Sequence, residues 1–224
     1  GYFKRVREIC DRHGVLLILD EVMCGMGRTG SLFACEQDGI LPDIICVAKG
    51  LGAGYQPIGA TLVHSKVLEA FQQGSSLFQH GHTYLGHPVV TAAGLAVVRA
   101  ILKRDLLPHV RDMGEKLQSA LKMKFAEHPH IGDIRGRGLF CGVELVKDRE
   151  TKVPFDPSNG LAGKIKKATF AAGLICYPMS GTRDGKLGDH VLLAPPFILS
   201  NEHIDEVVAK LSGAVESTLA TTTD

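Results

Sequence analysis

The chain has 224 residues, 45% hydrophobic and 22% charged, with 25 lysines and arginines against 24 aspartates and glutamates for a formal charge of +1. That balance excludes a polyanion binder working through bulk charge, and the apolar content excludes a disordered chain. No apolar run nears the ~20 residues that span a bilayer, and the amphipathic start GYFKRVREICDRHG is not a secretory signal, so neither nucleic acid nor membrane is an expected partner.

Residues 2–12 carry Tyr2, Phe3, Val6, Ile9 and Cys10 at helical spacing, which predicts an amphipathic helix ending at His13-Gly14. VLLILDEV follows directly, a continuous apolar run expected of a strand buried on both faces of a parallel sheet. A helix leading into such a strand is the crossover of a strand-helix-strand unit, whose first strand is not in this sequence. DIICVAKG at 43–50 and IGATLVHS at 58–65 are two further strand candidates, with a short helical stretch near 31–38. The organisation is therefore α/β with a mostly parallel sheet.

From Pro88 the texture changes to a long helical stretch, PVVTAAGLAVVRAILKRD, and a second helix over about 105–127. GDIRGRGLFCGVELV reads as a strand or bent hairpin, with Arg135 and Arg137 as turn residues. A helix near 160–172, short strands near 174–177 and 190–194, and an amphipathic helix near 201–219 complete the pattern. A boundary near 95–105 would separate the sheet from a smaller mixed domain. The tail from Ala220 to Asp224 is of low complexity and expected to fray. The six cysteines fall singly, without a CxxC pair, which predicts reduced thiols in an intracellular compartment, several packed in the core.

The chemistry concentrates in the first 90 residues. Asp20 and Glu21 end an apolar strand, where parallel sheets present ligand-binding groups. A carboxylate there is costly unless a cation or donors meet it. Lys49 holds the matching place after the next strand, where apolar neighbours make an amine a competent nucleophile. A helix cap or loop ion pair is the plain reading of each alone. Together, an acid and an amine on successive strand ends suit pyridoxal phosphate: the lysine forms an imine and the carboxylate keeps the pyridine nitrogen protonated.

Three other patterns carry less. GMGRTG at 25–30 fits the dinucleotide GxGxxG, but the acidic pair before it would repel a pyrophosphate and no long helix opens at Gly30. His80, His82 and His87 have no cysteine or carboxylate at matching spacing, so no metal site is expected. GTRDGK at 181–186 is too short for a phosphate-binding P-loop.

VLLILDEVMCGMGRTG, PDIICVAKGLGAGYQPIGA and HGHTYLGHPVVTAAGLAV, in that order, closely resemble the class III (omega) aminotransferases, of fold type I among pyridoxal-phosphate enzymes. The resemblance covers essentially the whole chain, with HVLLAPPFILSNEHIDEV as the C-terminal strand and helix. It implies a partial coenzyme-binding large domain over 1–98 and a smaller α+β domain over 99–224.

By position, the resemblance implies that Lys49 holds pyridoxal 5'-phosphate and shuttles a proton, and that Asp20 pairs with the pyridinium nitrogen. It further implies that Val22 packs on one ring face, and that Thr83 reaches the coenzyme phosphate of a neighbouring subunit in a homodimer. Glu21 and His82 stay structural or unassigned, Arg28 a loop cation, and Arg183 an open choice between carboxylate clamp and solvated loop residue. The family's upstream half, which supplies the phosphate-gripping loop and the second stacking face, has no counterpart in this sequence. The expected reaction passes an amino group from an amine or amino acid to a keto acid or aldehyde. A decarboxylase or aminomutase variant, or a non-catalytic or truncated fragment, is the alternative.

Overall fold

The computed structural model describes residues 1–222 and resolves into two compact units, Gly1–Pro108 and His109–Asp224. The sequence boundary at 98/99 falls inside a helix of the first unit. Among the described residues no helix is long and apolar enough to cross a membrane.

In the first unit, α1 (Tyr2–His13) ends as expected on Gly14, whose φ of 64° closes the helix with N–H bonds to the carbonyls of Cys10 and Asp11. The apolar run after it pairs over only three residues, β1 (Ile18–Asp20), parallel to β2 (Ile44–Val47) in the register Ile18↔Ile44, Asp20↔Cys46. A strand buried on both faces is not what this unit shows: Val15 is 55% and Ile18 57% exposed. β3 (Ala60–Val63) pairs with β2 antiparallel, so these three strands form a mixed sheet. The reason is the connection, since residues 48–59 hold only a 3-10 turn over Lys49–Leu51 and no crossover helix that would return the chain in parallel.

Two helices follow, α2 (Ser65–Gln73), which the sequence patterning passed over, and α3 (Pro88–Lys103), with Pro88 in its first turn. Gly94 lets α3 lie against the turn after β2, because a Cβ there would sit 3.0 Å from Ile58 Cδ1.

Asp43, 3% exposed, ties the amino end of this sheet together. Its Oδ2 accepts the Leu17 N–H at 2.6 Å and the Arg7 guanidinium at 2.8 Å, and Lys66 pairs with Oδ1. Four segments thus converge on one carboxylate: α1, the start of β1, the start of β2, and α2. Burial alone pushes this carboxyl up, but Lys66, the Leu17 amide and Arg7 together hold it well below the usual carboxylate range.

The second unit has a continuous apolar core. α4 (Leu106–Lys124) places Val110, Met113, Leu117 and Leu121 against a four-stranded antiparallel sheet in the order β4-β5-β7-β6. Its strands are β4 (Ile131–Arg137), β5 (Phe140–Leu145), β6 (Tyr177–Arg183) and β7 (Leu187–Leu193). The alternation along β5 and β7 buries Cys141, Val143, Leu145, Val191 and Leu193 on one face. α5 (Leu161–Ala171) and α6 (Asn201–Leu219) add Ile165, Ile204, Leu211 and Val215 to that core.

Arg135 and Arg137 are strand residues of β4 and not turn residues. Arg135 bonds Asp133 at 2.8 Å and Glu144 across the ladder at 2.6 Å. The expected strand near 174–177 starts only at Tyr177 and runs on to Arg183, making GTRDGK the tip of the β6–β7 hairpin. After α6, Ala220, Thr221 and Thr222 stay hydrogen-bonded to the last turn, while the expected fraying of Thr223 and Asp224 lies outside the described residues.

Two outcomes follow from this packing. Asp43→Asn should lower the unfolding free energy measured in urea by about 2 kcal/mol at neutral pH, since it removes the buried anion shared by Arg7 and Lys66 and leaves Arg7 only its exposed partner Asp11. Because the folded carboxyl titrates below its unfolded counterpart, its stabilisation is present above about pH 4 and fades as pH falls further. The wild-type advantage over Asp43→Asn should therefore shrink between about pH 5 and pH 2, and an advantage constant across that range would contradict the assignment. In the second unit, a Cβ on Gly114 would meet Gly138 O at 2.2 Å, backbone that cannot yield, so Gly114→Ala should cost about 3 kcal/mol in chemical unfolding.

Candidate active site

Parallel pairing puts the carboxyl ends of β1 and β2 on one edge of the sheet. Asp20 is the last residue of β1, and the Glu21 N–H extends the ladder to Cys46 O at 2.9 Å. Lys49 stands two residues beyond β2, at the start of the 3-10 turn, and both side chains are exposed. Its φ is 38°, a left-handed conformation that lysine adopts only at a cost of ~1–3 kcal/mol and that strained functional positions favour.

Asp20 Oδ1 accepts the Val22 N–H at 3.0 Å, which fixes the carboxylate over the turn that follows. Lys49 Nζ lies 2.6 Å from Met23 Sδ in that same turn. Among the described residues no carboxylate lies within ion-pair distance of this amine. Asp20, Val22 and Lys49 are thereby brought to a common edge. Thr83 lies in an exposed turn before α3, where the His82 carbonyl accepts the Leu85 N–H.

Glu21 is the functional side chain whose role the sequence left open. It is buried, and its two oxygens accept the backbone N–H groups of Ala34 at 2.6 Å and Cys35 at 2.8 Å. Those amides open the 3-10 turn Ala34–Asp38, so Glu21 pins the long loop back onto the end of β1. The signal was in the sequence: adjacent residues at a strand end point to opposite sides, so Asp20 and Glu21 could not share one task.

The loop between is stapled by Gln37, whose Nε2 donates to Thr29 O at 2.8 Å and Ser31 Oγ at 2.9 Å. Residues 25–30 fold as turns with Met26, Gly27 and Gly30 at positive φ and open no helix, so the GxGxxG match is a loop. Arg28 belongs to this loop, where burial lowers its guanidinium to about 10.

Both nearby thiols are held in their protonated form by their surroundings. Burial, then the hydrogen bond and charge of Glu21, push Cys35 up to about 12, and burial followed by Glu21 raises Cys24. All six cysteines are free. No group of three or more His, Cys, Asp or Glu side chains able to hold a metal occurs among the described residues. Arg183, at the end of β6, is exposed and 3.9 Å from the Asp184 carboxylate.

The chain matches the class III aminotransferase family over residues 1–215. It is 48% identical over 216 residues to an aminotransferase of Gibberella zeae, a stretch covering 96% of this chain and 42% of that protein. Among solved structures, a Bacillus anthracis aminotransferase aligns with a TM-score of 0.90 at 40% identity, over 96% of this chain and 48% of that one. A PLP-bound aminotransferase mutant from Vibrio fluvialis aligns with a TM-score of 0.90 at 35% identity, over 100% of this chain and 48% of that one. The chain thus spans about half the length of the relatives it matches. With its fold of two units and an acid and an amine on one sheet edge, this chain belongs to the class III aminotransferases.

Proposed function

We propose that Lys49 and Asp20 serve a pyridoxal-phosphate-dependent transfer of an amino group from an amine or amino acid to a keto acid or aldehyde. The observation that carries this reading is an amine free of carboxylate partners on the same sheet edge as a carboxylate, at the ends of two parallel strands. This donor set fits the coenzyme: a primary amine for its aldehyde and an anion for its ring nitrogen. The PLP-bound Vibrio fluvialis relative supports the same choice.

Pyridoxal phosphate supplies an aldehyde carbon that takes up amines with loss of water, and a ring that stores the electron pair left on carbon when a bond breaks. The rest falls to the chain. Lys49 Nζ would hold the coenzyme through its aldehyde and would carry the proton at the substrate carbon. Asp20 would hold the proton on the ring nitrogen through a charge-assisted hydrogen bond. Val22, half-buried beside Asp20, offers an apolar contact to one face of the ring. Thr83, exposed in its turn, would supply a hydroxyl to the phosphate bound by the other subunit of a homodimer.

Full-length protein incubated with pyridoxal phosphate and reduced with borohydride should carry the pyridoxyl label on Lys49, and Lys49→Ala should lose both the label and the visible absorption. Asp20→Asn should keep the label and lower kcat at least a hundredfold, about the size of a lost proton-handling group. A wild-type protein that takes no label favours the non-catalytic reading. Thr83→Ala should weaken coenzyme binding by about tenfold with kcat at saturation little changed, as for loss of one hydrogen bond to a charged group; equal dissociation constants would remove Thr83 from the site.

A further inference from the structure

We propose that Met26 is a positioning residue for Lys49: its backbone and Cβ form the seat against which Gly50 rests, and that seat sets where the lysine turn stands at the sheet edge. The inference rests on the reading of Lys49 as the coenzyme-bearing amine and adds a residue that acts through it.

The contact joins the loops that follow β1 and β2. A Cβ on Gly50 would lie 3.1 Å from Met26 Cβ and 3.8 Å from the carbonyl oxygens of Gly25 and Met26, so the two backbones meet with a single Cβ between them. Met26 provides it. This residue is 4% exposed, and its φ of 54° is a left-handed conformation that glycine adopts freely and a side chain does not. With Gly25 and Gly27 on either side, a third glycine would be the relaxed choice for the backbone alone. A side chain persists in such backbone only where the surroundings over-determine it. Here those surroundings include the turn that carries Lys49.

The seat is anchored to the end of β1. Glu21 accepts the amides of Ala34 and Cys35, its own carbonyl accepts the Gly25 N–H at 2.9 Å, and the Gly27 N–H bonds to Leu32 O at 3.2 Å. Met26 thus stands between one residue tied to the strand end and another tied across the loop. What it supports is equally tight. The N–H groups of Leu51, Gly52 and Ala53 bond to the carbonyls of Ala48, Lys49 and Gly50 at 2.8, 3.1 and 3.2 Å, so the turn moves as one piece. Close-packed contacts transmit strain instead of absorbing it, and a displacement at Gly50 passes to Lys49. The φ of Lys49, 38°, couples the direction of its side chain to the placement of that turn. Placement matters to a reacting group, since a misplacement of about 1 Å can cost about a hundredfold in rate.

The test uses full-length protein and follows attachment of pyridoxal phosphate by visible absorbance, the labelled lysine being mapped after borohydride reduction. Gly50→Ala puts a second Cβ into the contact and should slow attachment by about tenfold. Before any coenzyme is added, it should also speed hydrogen exchange over residues 48–53, read by mass spectrometry. Met26→Gly combined with Gly50→Ala moves the single Cβ to the other side of the contact and should attach within about twofold of wild type. It should do so although loss of the buried side chain leaves it less stable in urea. Met26→Ala, which keeps the Cβ alone, should likewise lose stability and keep the wild-type attachment rate. Attachment that falls in step with stability across the three variants would mean that Met26 only fills a core, and would overturn the inference. A pyridoxyl label on Lys49 combined with wild-type attachment and exchange in Gly50→Ala would overturn it while sparing the reading of Lys49. A wild-type protein labelled at another lysine, or not at all, would overturn both.

Discussion

The parallel register of β1 and β2 is the constraint on which the site depends. Parallel neighbours run ~4.8 Å apart with their carboxyl ends level, so residues that follow the two strands meet on one edge. An antiparallel pairing of the same segments would send Asp20 and Lys49 to opposite ends of the sheet. Two buried carboxylates bracket this pair. Asp43 gathers Leu17, Arg7 and Lys66 at the amino end, and Glu21 fastens the returning loop at the carboxyl end through the amides of Ala34 and Cys35. Neither is bonded to Asp20 or Lys49, yet both hold the strands that carry them. The charge at each place is compensated by donors, which is the condition for a buried anion to be tolerated.

The two units differ in how much of their apolar surface the described residues bury. In the second, helices α4, α5 and α6 close over one face of the sheet, and eighteen buried residues form one cluster. In the first, α1, α2 and β3 have no buried residue, although their patterns are amphipathic or apolar. The candidate site lies in the first unit, whose segments Asp43, Glu21 and Gln37 tie together through polar contacts.

Much of this was legible in the chain itself. The bounds of α1 and α6 follow from a C-terminal glycine and a serine N-cap, signals that act within one turn and need no tertiary information. The acid and the amine were legible because their types are unusual at the ends of apolar runs. What escaped were non-local matters. The direction of β3 depends on what the preceding connection can span, and the extent of β1 depends on which neighbours pair with it. DIRGRG, rich in glycine, has the local pattern of a turn, and the cross-strand partner of Arg135, Glu144, is invisible to that pattern. α2 was passed over although its His64 cap and Val67, Leu68 and Phe71 carry helical spacing, since the apolar run of β3 before it dominates the window. Glu21 needed the alternation of a strand end to be applied to a pair of like charges.

The positive φ of Lys49 has a consequence for what can stand in its place. Foldability and reactivity ask for different residues at that one place: glycine adopts the backbone without strain, and lysine alone brings the amine. Exchange of Lys49 for glycine would thus relieve the turn and remove the amine in one step, so at this position a more stable fold and the proposed chemistry are alternatives.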